Sequence, residues 1–289
     1  MENLRGAALM TAAMFGFAIE DMFIKLASSR LPPWEIMFFL GGGAALIFAV
    51  LTRASGRPLW TRAYLSWPVL IRNAGELIGA FSMITALALA PLGVASAILQ
   101  ANPLLVTLGA AIFLAEPVGW RRWSAILVGF AGVLMVIQPG GEGFEAPALF
   151  ALLAAVALSV RDLVTRVVPR ETTSYQLSFL AFALQVPAAL ILALITGHSF
   201  VVPDTGDILR LLAVIALGAV AYNMLVSAMR VGQVSFVTPF RYARILFALG
   251  IALIVFGERP NGLMLFGTAV IVASGIYTLW RERKHRPKP

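Results

Sequence analysis

Long apolar runs separated by short polar breaks dominate this chain. Each run is about twenty residues long, the length that an α-helix needs to cross about 30 Å of hydrocarbon. Because polar and apolar positions do not alternate within the runs, a transmembrane β-barrel is excluded, and the predicted fold class is an all-α membrane protein with ten transmembrane helices. The predicted spans are 5–26, 34–52, 68–90, 93–115 and 121–138 in the first half, and 147–167, 174–196, 208–229, 232–257 and 263–281 in the second.

The composition supports a membrane environment. The chain is 60% hydrophobic and 12% charged, against about 45–50% and 25% for a soluble domain. No soluble fold of 289 residues has a core that could bury so much apolar side chain. The absence of cysteine excludes disulfides, thiolate metal sites and a cysteine nucleophile. The first run contains Glu20 and Asp21 and lacks a small-x-small cleavage site, so we interpret it as a retained helix and not as a signal peptide.

The loop charges predict the orientation in a bacterial-type inner membrane. The net charge of +8 is explained by an excess of Lys and Arg in cytoplasmic loops, without a nucleic-acid partner. With the N-terminus inside, the inner segments hold Arg5, Arg53, Arg57, Arg62, Arg121, Arg122, Arg166, Arg170, Arg230 and the basic residues from Arg281 onward. The outer segments hold only Lys25, Arg30, Arg210 and Arg259. Both termini are therefore predicted to be cytoplasmic. All six tryptophans fall at predicted helix ends, as expected of an interfacial belt.

The two halves of the chain resemble each other. Four features recur in the same order at a separation of about 140 residues: Asp21 with Asp162, the segment at Gly93 with that at Gly232, Glu116 with Glu258, and Gly132 with Gly275. Each half has five predicted helices, an odd number, so the second half enters the membrane from the opposite side. Such inverted repeats are typical of secondary transporters that work by alternating access. The predicted domains are 1–140 and 141–281, followed by a basic tail at 282–289 that we expect to be disordered.

Several segments resemble a known family. The first half contains G-V-A-S-A, Q-A-N-P-L, F-L-A-E-P and W-R-R-W-S-A-I-L-V-G-F-A-G-V-L, and the second contains V-S-F-V-T-P-F-R-Y-A-R and F-G-E-R-P-N. These segments are similar to the EamA repeat of the drug/metabolite transporter superfamily, over nearly the whole chain. The resemblance implies a ten-helix bundle with cytoplasmic termini and a central substrate cavity. Members carry amino acids, nucleotide sugars, flavins, S-adenosylmethionine and toxic metabolites, so the motifs specify the fold better than the substrate.

The ninth predicted helix carries the sharpest polar cluster. Pro239 removes a backbone hydrogen bond and should kink or break the helix near its middle. Arg241, Tyr242 and Arg244 follow directly as candidate substrate-binding residues. A guanidinium beside a cavity can bind a carboxylate or phosphate with two parallel hydrogen bonds, and the ring of Tyr242 could stack on an aromatic substrate. The alternative is that the arginines tie this helix to backbone carbonyls or to an acid on a neighbouring helix.

Ionisable residues elsewhere in the spans are functional candidates by default, because their burial in lipid is costly. Arg72 and Glu76 lie one turn apart and can pair within their helix, and Glu76 is the better candidate for the substrate site. Gly75 and Gly79 on the same helix predict a close helix contact. Asp21 and Asp162, with their neighbours Glu20 and Arg161, occupy equivalent repeat positions near opposite membrane faces. They suit either gates that pair alternately or two structural salt bridges. Glu116 and Glu258 are predicted helix caps or loop anchors.

Uncharged groups at membrane depth complete the candidate site. Gln100 and Asn102 precede Pro103, and Tyr222 adjoins Asn223, so all four could line the cavity or link helices. Aromatic side chains such as Phe15, Phe17 and Phe81 could stack on an aromatic substrate, although phenylalanine is common in any membrane bundle.

The predicted function is a secondary transporter that exports small amphipathic metabolites, with aromatic or neutral amino acids as the first hypothesis. An uptake carrier for a larger metabolite (a flavin, S-adenosylmethionine or a nucleotide-like compound) is the alternative. A membrane enzyme is disfavoured because the chain has no phosphate-binding loop, no cysteine and no histidine within a span. We expect a small-molecule substrate and a lipid environment, no cofactor, metal or catalytic residue, and a monomer.

Overall fold

The computed structural model describes residues 2–113, 119–141, 144–169, 171–197, 199–231 and 234–285, and within these ranges the chain is helical with short connections. The helices are α1 Glu2–Ala27, α2 Pro33–Ala54, α3 Trp67–Leu89, α4 Leu92–Leu99, α5 Asn102–Phe113, α6 Trp120–Ile137, α7 Ala148–Thr165, α8 Ser174–Thr196, α9 Thr205–Val231, α10 Val234–Val237, α11 Ala243–Phe256 and α12 Gly262–His285. Two short 3₁₀ turns occupy Arg62–Leu65 and Thr238–Tyr242.

The predicted fold class is confirmed. Nine segments of the described residues are long and apolar enough to span a membrane, and α6 adds a shorter apolar helix between the fourth and sixth of the predicted spans. Their order follows the prediction, with one difference in the middle of the fourth span. That span consists of α4 and α5, because the helix ends at Leu99 and starts again at Asn102. Pro103 lacks an N–H and fits only the first turn of a new helix, so the predicted continuous helix over 93–115 is wrong at its centre.

The ninth span is interrupted at the equivalent place. Pro239 lies in the 3₁₀ turn Thr238–Tyr242, which separates α10 from α11 and confirms the predicted break. A proline early in each restarted segment thus divides one helix in each half of the chain. In the membrane, such breaks free backbone polar groups that must be satisfied by protein or by a water-filled cavity.

The packing of the helices follows the repeat. Helix α1 lies along α9 and α3 lies along α7, while α2 packs on α8 and α6 packs on α12. An exchange of the two halves converts the α1–α9 pair into the α7–α3 pair and leaves the other two pairs unchanged. This pattern is the one expected of two inverted five-helix halves related by a pseudo-two-fold axis.

The predicted glycine seam on α3 is confirmed. A Cβ atom at Gly75 would lie 2.8 Å from the carbonyl oxygen of Ala157, and one at Gly79 would lie 2.7 Å from the side chain of Leu158. Contacts this short leave no room for a side chain. The glycines therefore allow the backbones of α3 and α7 to approach closely.

Glu258 caps a helix of the opposite half. Its Oε1 accepts a hydrogen bond from the amide of Leu92 at 2.7 Å, and its Oε2 accepts one from Gly93 at 3.0 Å, so the carboxylate covers the N-terminus of α4. Lys25 Nζ lies 3.7 Å from this carboxylate and donates to the carbonyl of Ala90 at 2.6 Å. The predicted capping role of Glu258 is confirmed, whereas Glu116 lies outside the described residues.

The expected disordered tail is corrected in part. Helix α12 continues to His285, past the predicted end of the span at 281. The Arg281–His285 segment contains no proline or glycine, so nothing in its sequence ends the helix at the membrane surface. Residues 286–289 lie outside the described residues.

Candidate functional site

The two interrupted helices meet at their breaks. Gln100, at the end of α4, donates a hydrogen bond from Nε2 to the backbone oxygen of Tyr242 at 3.3 Å. Both residues are buried, with exposed fractions of 7% and 4%. Discontinuous helices at corresponding positions of two inverted halves mark the substrate and ion sites of many transporters. The contact between Gln100 and Tyr242 therefore locates the candidate site near the middle of the bundle.

A first charge cluster, formed by Glu20, Asp21 and Arg244, joins α1 to α11. Arg244 Nη2 lies 2.8 Å from Asp21 Oδ1 and 2.7 Å from Oδ2, and its Nε lies 3.2 Å from Oδ2. The guanidinium also stands 5.3 Å from the ring centroid of Phe17. Asp21 is 2% exposed. A buried carboxylate held this closely by one guanidinium forms a neutral unit, which lowers the cost of both charges in the membrane.

Glu20 of this cluster and Arg241 of the 3₁₀ turn lack close partners, although the guanidinium of Arg244 also attracts the Glu20 carboxyl group. Both side chains are half-buried, and neither makes a hydrogen bond or ion pair with the part of the chain that the structure describes. The carboxyl group of Glu20 lies over Gly218 of α9, where an added Cβ would come within 2.6 Å of Oε1. The glycine thus leaves space for an unpaired carboxyl group beside the Asp21–Arg244 pair.

A second charge cluster, formed by Arg72, Glu76, Arg161 and Asp162, joins α3 to α7. Arg161 Nη1 lies 3.1 Å from Glu76 Oε2, and its Nη2 lies 2.7 Å from Asp162 Oδ1. Arg72 Nη2 is 3.8 Å from Glu76 Oε2, and its Nη1 donates to Asn73 Oδ1 at 3.0 Å. Every charge of this cluster therefore has an opposite charge beside it. Because α1 is the first span and α7 the sixth, the two helices cross the membrane in opposite directions. The clusters near their C-terminal ends are therefore expected toward opposite ends of the bundle.

The uncharged candidates differ in their surroundings. The hydroxyl of Tyr242 is buried against Gly275 of α12 and has no hydrogen-bond partner among the described residues. Asn102 is buried, and its backbone oxygen accepts a hydrogen bond from Ser159 Oγ at 3.3 Å. An unsatisfied buried hydroxyl costs free energy, so a polar group brought to this position would stabilise the Tyr242 hydroxyl.

An aromatic cluster of Phe48, Tyr175, Phe182 and Tyr222 links α2, α8 and α9. The ring of Phe48 lies 5.6 Å from Phe182 in a stacked arrangement and 5.2 Å from Tyr222 edge to face. The hydroxyl of Tyr175 donates a hydrogen bond to Asn223 Oδ1 at 3.4 Å. Phe48 is buried, whereas the rings of Tyr175, Phe182 and Tyr222 are half-buried. The half-buried rings and the amide together offer apolar faces beside a hydrogen-bonding group.

The predicted site residues do not form a single cluster. Arg244 contacts Asp21, Glu76 contacts Arg161, Gln100 contacts Tyr242, and Asn223 contacts Tyr175. Asp21 and Asp162 are both paired at the same time, as structural salt bridges would be. The assignment of individual residues to substrate binding or gating stays a prediction.

The sequence interpretation missed most of the aromatic cluster. Phe48, Tyr175 and Phe182 lie far apart in the chain, and phenylalanine is frequent in all of its spans. The spacing of Tyr175 and Phe182 on one helix face was an available signal, although a weak one. Among the described residues, no group of three or more His, Cys, Asp and Glu side chains could hold a metal ion.

Known proteins resemble this chain over nearly its full length. The sequence profile of the EamA-like transporter family matches residues 4–138 and again residues 146–280. A riboflavin transporter of Rhizobium johnstonii is 26% identical, over 98% of this chain and 94% of its own length. An S-adenosylmethionine uptake transporter of Rickettsia bellii is 22% identical, over 98% and 96%. A pseudopaline exporter of Pseudomonas aeruginosa is 29% identical, over 96% and 97%.

Proposed function

Because the chain belongs to the EamA-like transporter family, we propose that it is an inner-membrane secondary transporter of a polar, ring-containing metabolite. Membership of a transporter family also means that the chain is not an enzyme. The basic loops support cytoplasmic termini. Alternating access through the two inverted halves is the mechanism that this architecture suits.

The relatives favour the larger metabolites over amino acids. The transporters from Rhizobium and Rickettsia are named for riboflavin and S-adenosylmethionine, and the Pseudomonas relative for pseudopaline, whereas amino acid export has no support among these three. Riboflavin and S-adenosylmethionine each join a heteroaromatic ring to a flexible polar chain. One relative is an exporter and another an uptake transporter, so proteins similar to this chain move their substrates in both directions.

The observation that carries this proposal is the contact between the two interrupted helices at Gln100 and Tyr242. The breaks supply freed backbone groups, a side-chain amide and the unsatisfied Tyr242 hydroxyl, all suited to the polar chain of such a substrate. The half-buried rings of Phe17 and Tyr222 supply apolar faces suited to its ring. Pockets that combine apolar walls with a few polar groups are typical small-molecule sites.

The two arginines of the ninth span differ in whether a carboxylate already pairs with them. Arg244 is satisfied by Asp21 and acts in structure, while Arg241 has no partner among the described residues. Arg241 is therefore the better candidate for a substrate carboxylate or phosphate, such as the carboxylate of S-adenosylmethionine. A guanidinium can bind either group with two parallel hydrogen bonds.

Counterflow in proteoliposomes tests the substrate class. Vesicles loaded with unlabelled riboflavin, S-adenosylmethionine, tryptophan or phenylalanine would be given the matching labelled compound, and we expect saturable exchange of riboflavin or S-adenosylmethionine. Tyr222→Leu removes a half-buried ring and should weaken the apparent affinity for riboflavin by about 2- to 12-fold, the equivalent of about 0.5–1.5 kcal/mol for one aromatic contact.

Tyr277→Leu is the matched control, because that ring is exposed near the end of α12 and packs on Trp280. It should leave the exchange unchanged. Exchange of tryptophan or phenylalanine, without exchange of riboflavin or S-adenosylmethionine, would restore the amino acid hypothesis. An equal loss in both leucine variants would remove Tyr222 from the site.

A further inference from the structure

Glu20 is a carboxyl group at membrane depth whose nearby cation, Arg244, is already paired with Asp21. It lies in the last third of α1, is half-buried, and makes no hydrogen bond or ion pair with the described residues. Such a group in a membrane span is retained for function by default. We propose that transport is coupled to protons and that Glu20 is the carboxyl group that binds and releases the coupling proton, an inference that rests on the proposed transport function.

The surroundings of Glu20 suit a group that gains and loses a proton. On its own helix it faces Asp21, and α11 contributes Arg244, but these two already form a close pair. Helix α9 presents Gly218 beneath the carboxyl group. The nearest titratable side chain on α9 is Tyr222, one turn further on, and the 3₁₀ turn adds Arg241. Helices α4 and α10 contain no titratable residue, and the ionisable residues of α3 belong to the second charge cluster at the other end of the bundle.

Other acidic residues in or near the spans are already occupied. Glu76 and Asp162 contact Arg161, and Asp207 contacts Arg30 and Arg210. Glu258 accepts from the first amides of α4. Glu35 accepts from the amide of Val201 at 3.0 Å through Oε2, while its buried Oε1 has no hydrogen-bond partner among the described residues. Glu35 lies in the first turn of α2, at the end of its span, and the other acids named here would have to leave an arginine or a backbone amide before they could act as carriers. Glu20 needs no such rearrangement.

The two halves of the repeat differ in charge at the position of Glu20, so only the first half carries a proton-binding carboxyl group there. Arg161 occupies the position in the second half that Glu20 occupies in the first, and it neutralises Glu76 and Asp162. The first charge cluster carries one net negative charge when Glu20 is ionised and none when it is protonated. Exchange between inward- and outward-facing states closes the surrounding cavity, and burial of a net charge opposes that step. Protonation of the Glu20 carboxylate from one side removes the charge, and release of the same proton to the other side restores it.

The experiment uses purified full-length protein in proteoliposomes, with riboflavin and S-adenosylmethionine as probes. A gradient of about one pH unit should drive accumulation of riboflavin up to about tenfold by the wild type, because one pH unit corresponds to a factor of ten per proton. The sign of the response separates symport from antiport, and either sign supports coupling. Glu20→Gln should keep counterflow, which needs no net proton movement, and lose the accumulation. Glu20→Asp keeps a carboxyl group and should retain part of it.

Glu171→Gln is the matched control, because Glu171 is an exposed carboxylate in the loop between α7 and α8. It should behave as the wild type in both assays. Wild-type exchange that ignores the pH gradient would overturn proton coupling, and gradient-driven accumulation by Glu20→Gln would overturn the role of Glu20. An absence of exchange with either probe would instead count against the proposed substrates.

A second measurement does not depend on the substrate or on the survival of a variant. Dicyclohexylcarbodiimide reacts with protonated carboxyl groups in apolar surroundings, so wild-type protein should be modified at Glu20 at acid pH and progressively less as the pH rises. Peptide mass spectrometry would locate the adduct. A protein that is modified at other carboxyl groups but never at Glu20 would overturn the proposal.

Discussion

The two charge clusters occupy related places in the two halves but are built differently. In the second, Arg161 stands between Glu76 and Asp162, and Arg72 adds a further cation, so the network is closed. In the first, Arg244 comes from the ninth span to hold Asp21 and leaves Glu20 unpaired. The same position in the repeat thus carries a cation in one half and a free acid in the other. The repeat preserves the architecture, while the chemistry of the two ends has diverged.

This difference separates structural charge from functional charge. A charge with a close opposite charge can be buried in the membrane at a low free-energy cost. An unpaired charge is costly to bury there, which favours a role in function. We therefore expect substitutions in the second cluster to lower the stability of the fold. Substitutions in the first cluster should affect transport more than stability the less closely the replaced charge is paired.

The largest effect is expected from Arg161→Ala. Its removal leaves two carboxylates, Glu76 and Asp162, without their main partner, and breaking a buried ion pair costs about 3–5 kcal/mol. Thermal unfolding in detergent should show a strongly lowered midpoint and a poor folded yield. Arg161→Lys should be intermediate, because it keeps the charge but loses the planar fork. Arg57→Ala, in the exposed loop after α2, is the control and should be neutral. A normal unfolding midpoint for Arg161→Ala would show that the second cluster does not stabilise the fold.

A smaller loss of stability is expected from Arg244→Ala. It leaves one carboxylate, the nearly inaccessible Asp21, without a partner, at a cost of about 2–5 kcal/mol for this single pair. The paired substitution Asp21→Asn with Arg244→Gln removes both charges and should recover part of that loss.

Arg241→Ala is the comparison for the neighbouring arginine. The variant should unfold at the wild-type temperature, because removal of the guanidinium breaks no ion pair among the described residues. Exchange of S-adenosylmethionine should weaken, because the substrate carboxylate loses its proposed partner. Wild-type stability of Arg244→Ala together with lost counterflow would reverse these roles and make Arg244 the substrate ligand.

Among the variants that lose stability, the smallest loss is expected at Gly75 on α3. Its counterpart is Gly218 on α9, which follows at the same separation as Gly275 follows Gly132. At Gly75 a methyl group meets the backbone oxygen of Ala157, so Gly75→Ala must push two helices apart, at a cost of about 1–3 kcal/mol. At Gly218 the methyl group meets the end of the flexible Glu20 side chain, which can move aside. Gly218→Ala should therefore keep its unfolding temperature and instead alter the pH dependence of transport. Equal unfolding midpoints for the two variants would remove the distinction between the clusters.

Much of the fold was predictable because lipid imposes a simple constraint. A run of apolar residues of the right length has to form a helix that satisfies its own backbone, so span number and order followed from the pattern. The break at Pro239 was predictable for the same reason, since proline cannot continue a helical hydrogen-bond ladder. The break before Pro103 was missed, although the same argument applied to it. The family resemblance gave the transporter class and left the substrate open.

The partners of the charged residues were beyond the reach of the sequence. Local spacing suggested that Arg72 pairs with Glu76, but Arg161 from α7 lies closer, and nothing local indicated that Arg244 would hold Asp21 across most of the chain. Glu20 and Asp21 are adjacent acids in one span and looked alike. Periodicity and local chemistry determined that this chain is a ten-span, two-fold repeated membrane protein. Only the tertiary structure decided which of its intramembrane charges are neutralised, because neutralisation depends on what a distant helix brings within about 3 Å of a carboxylate.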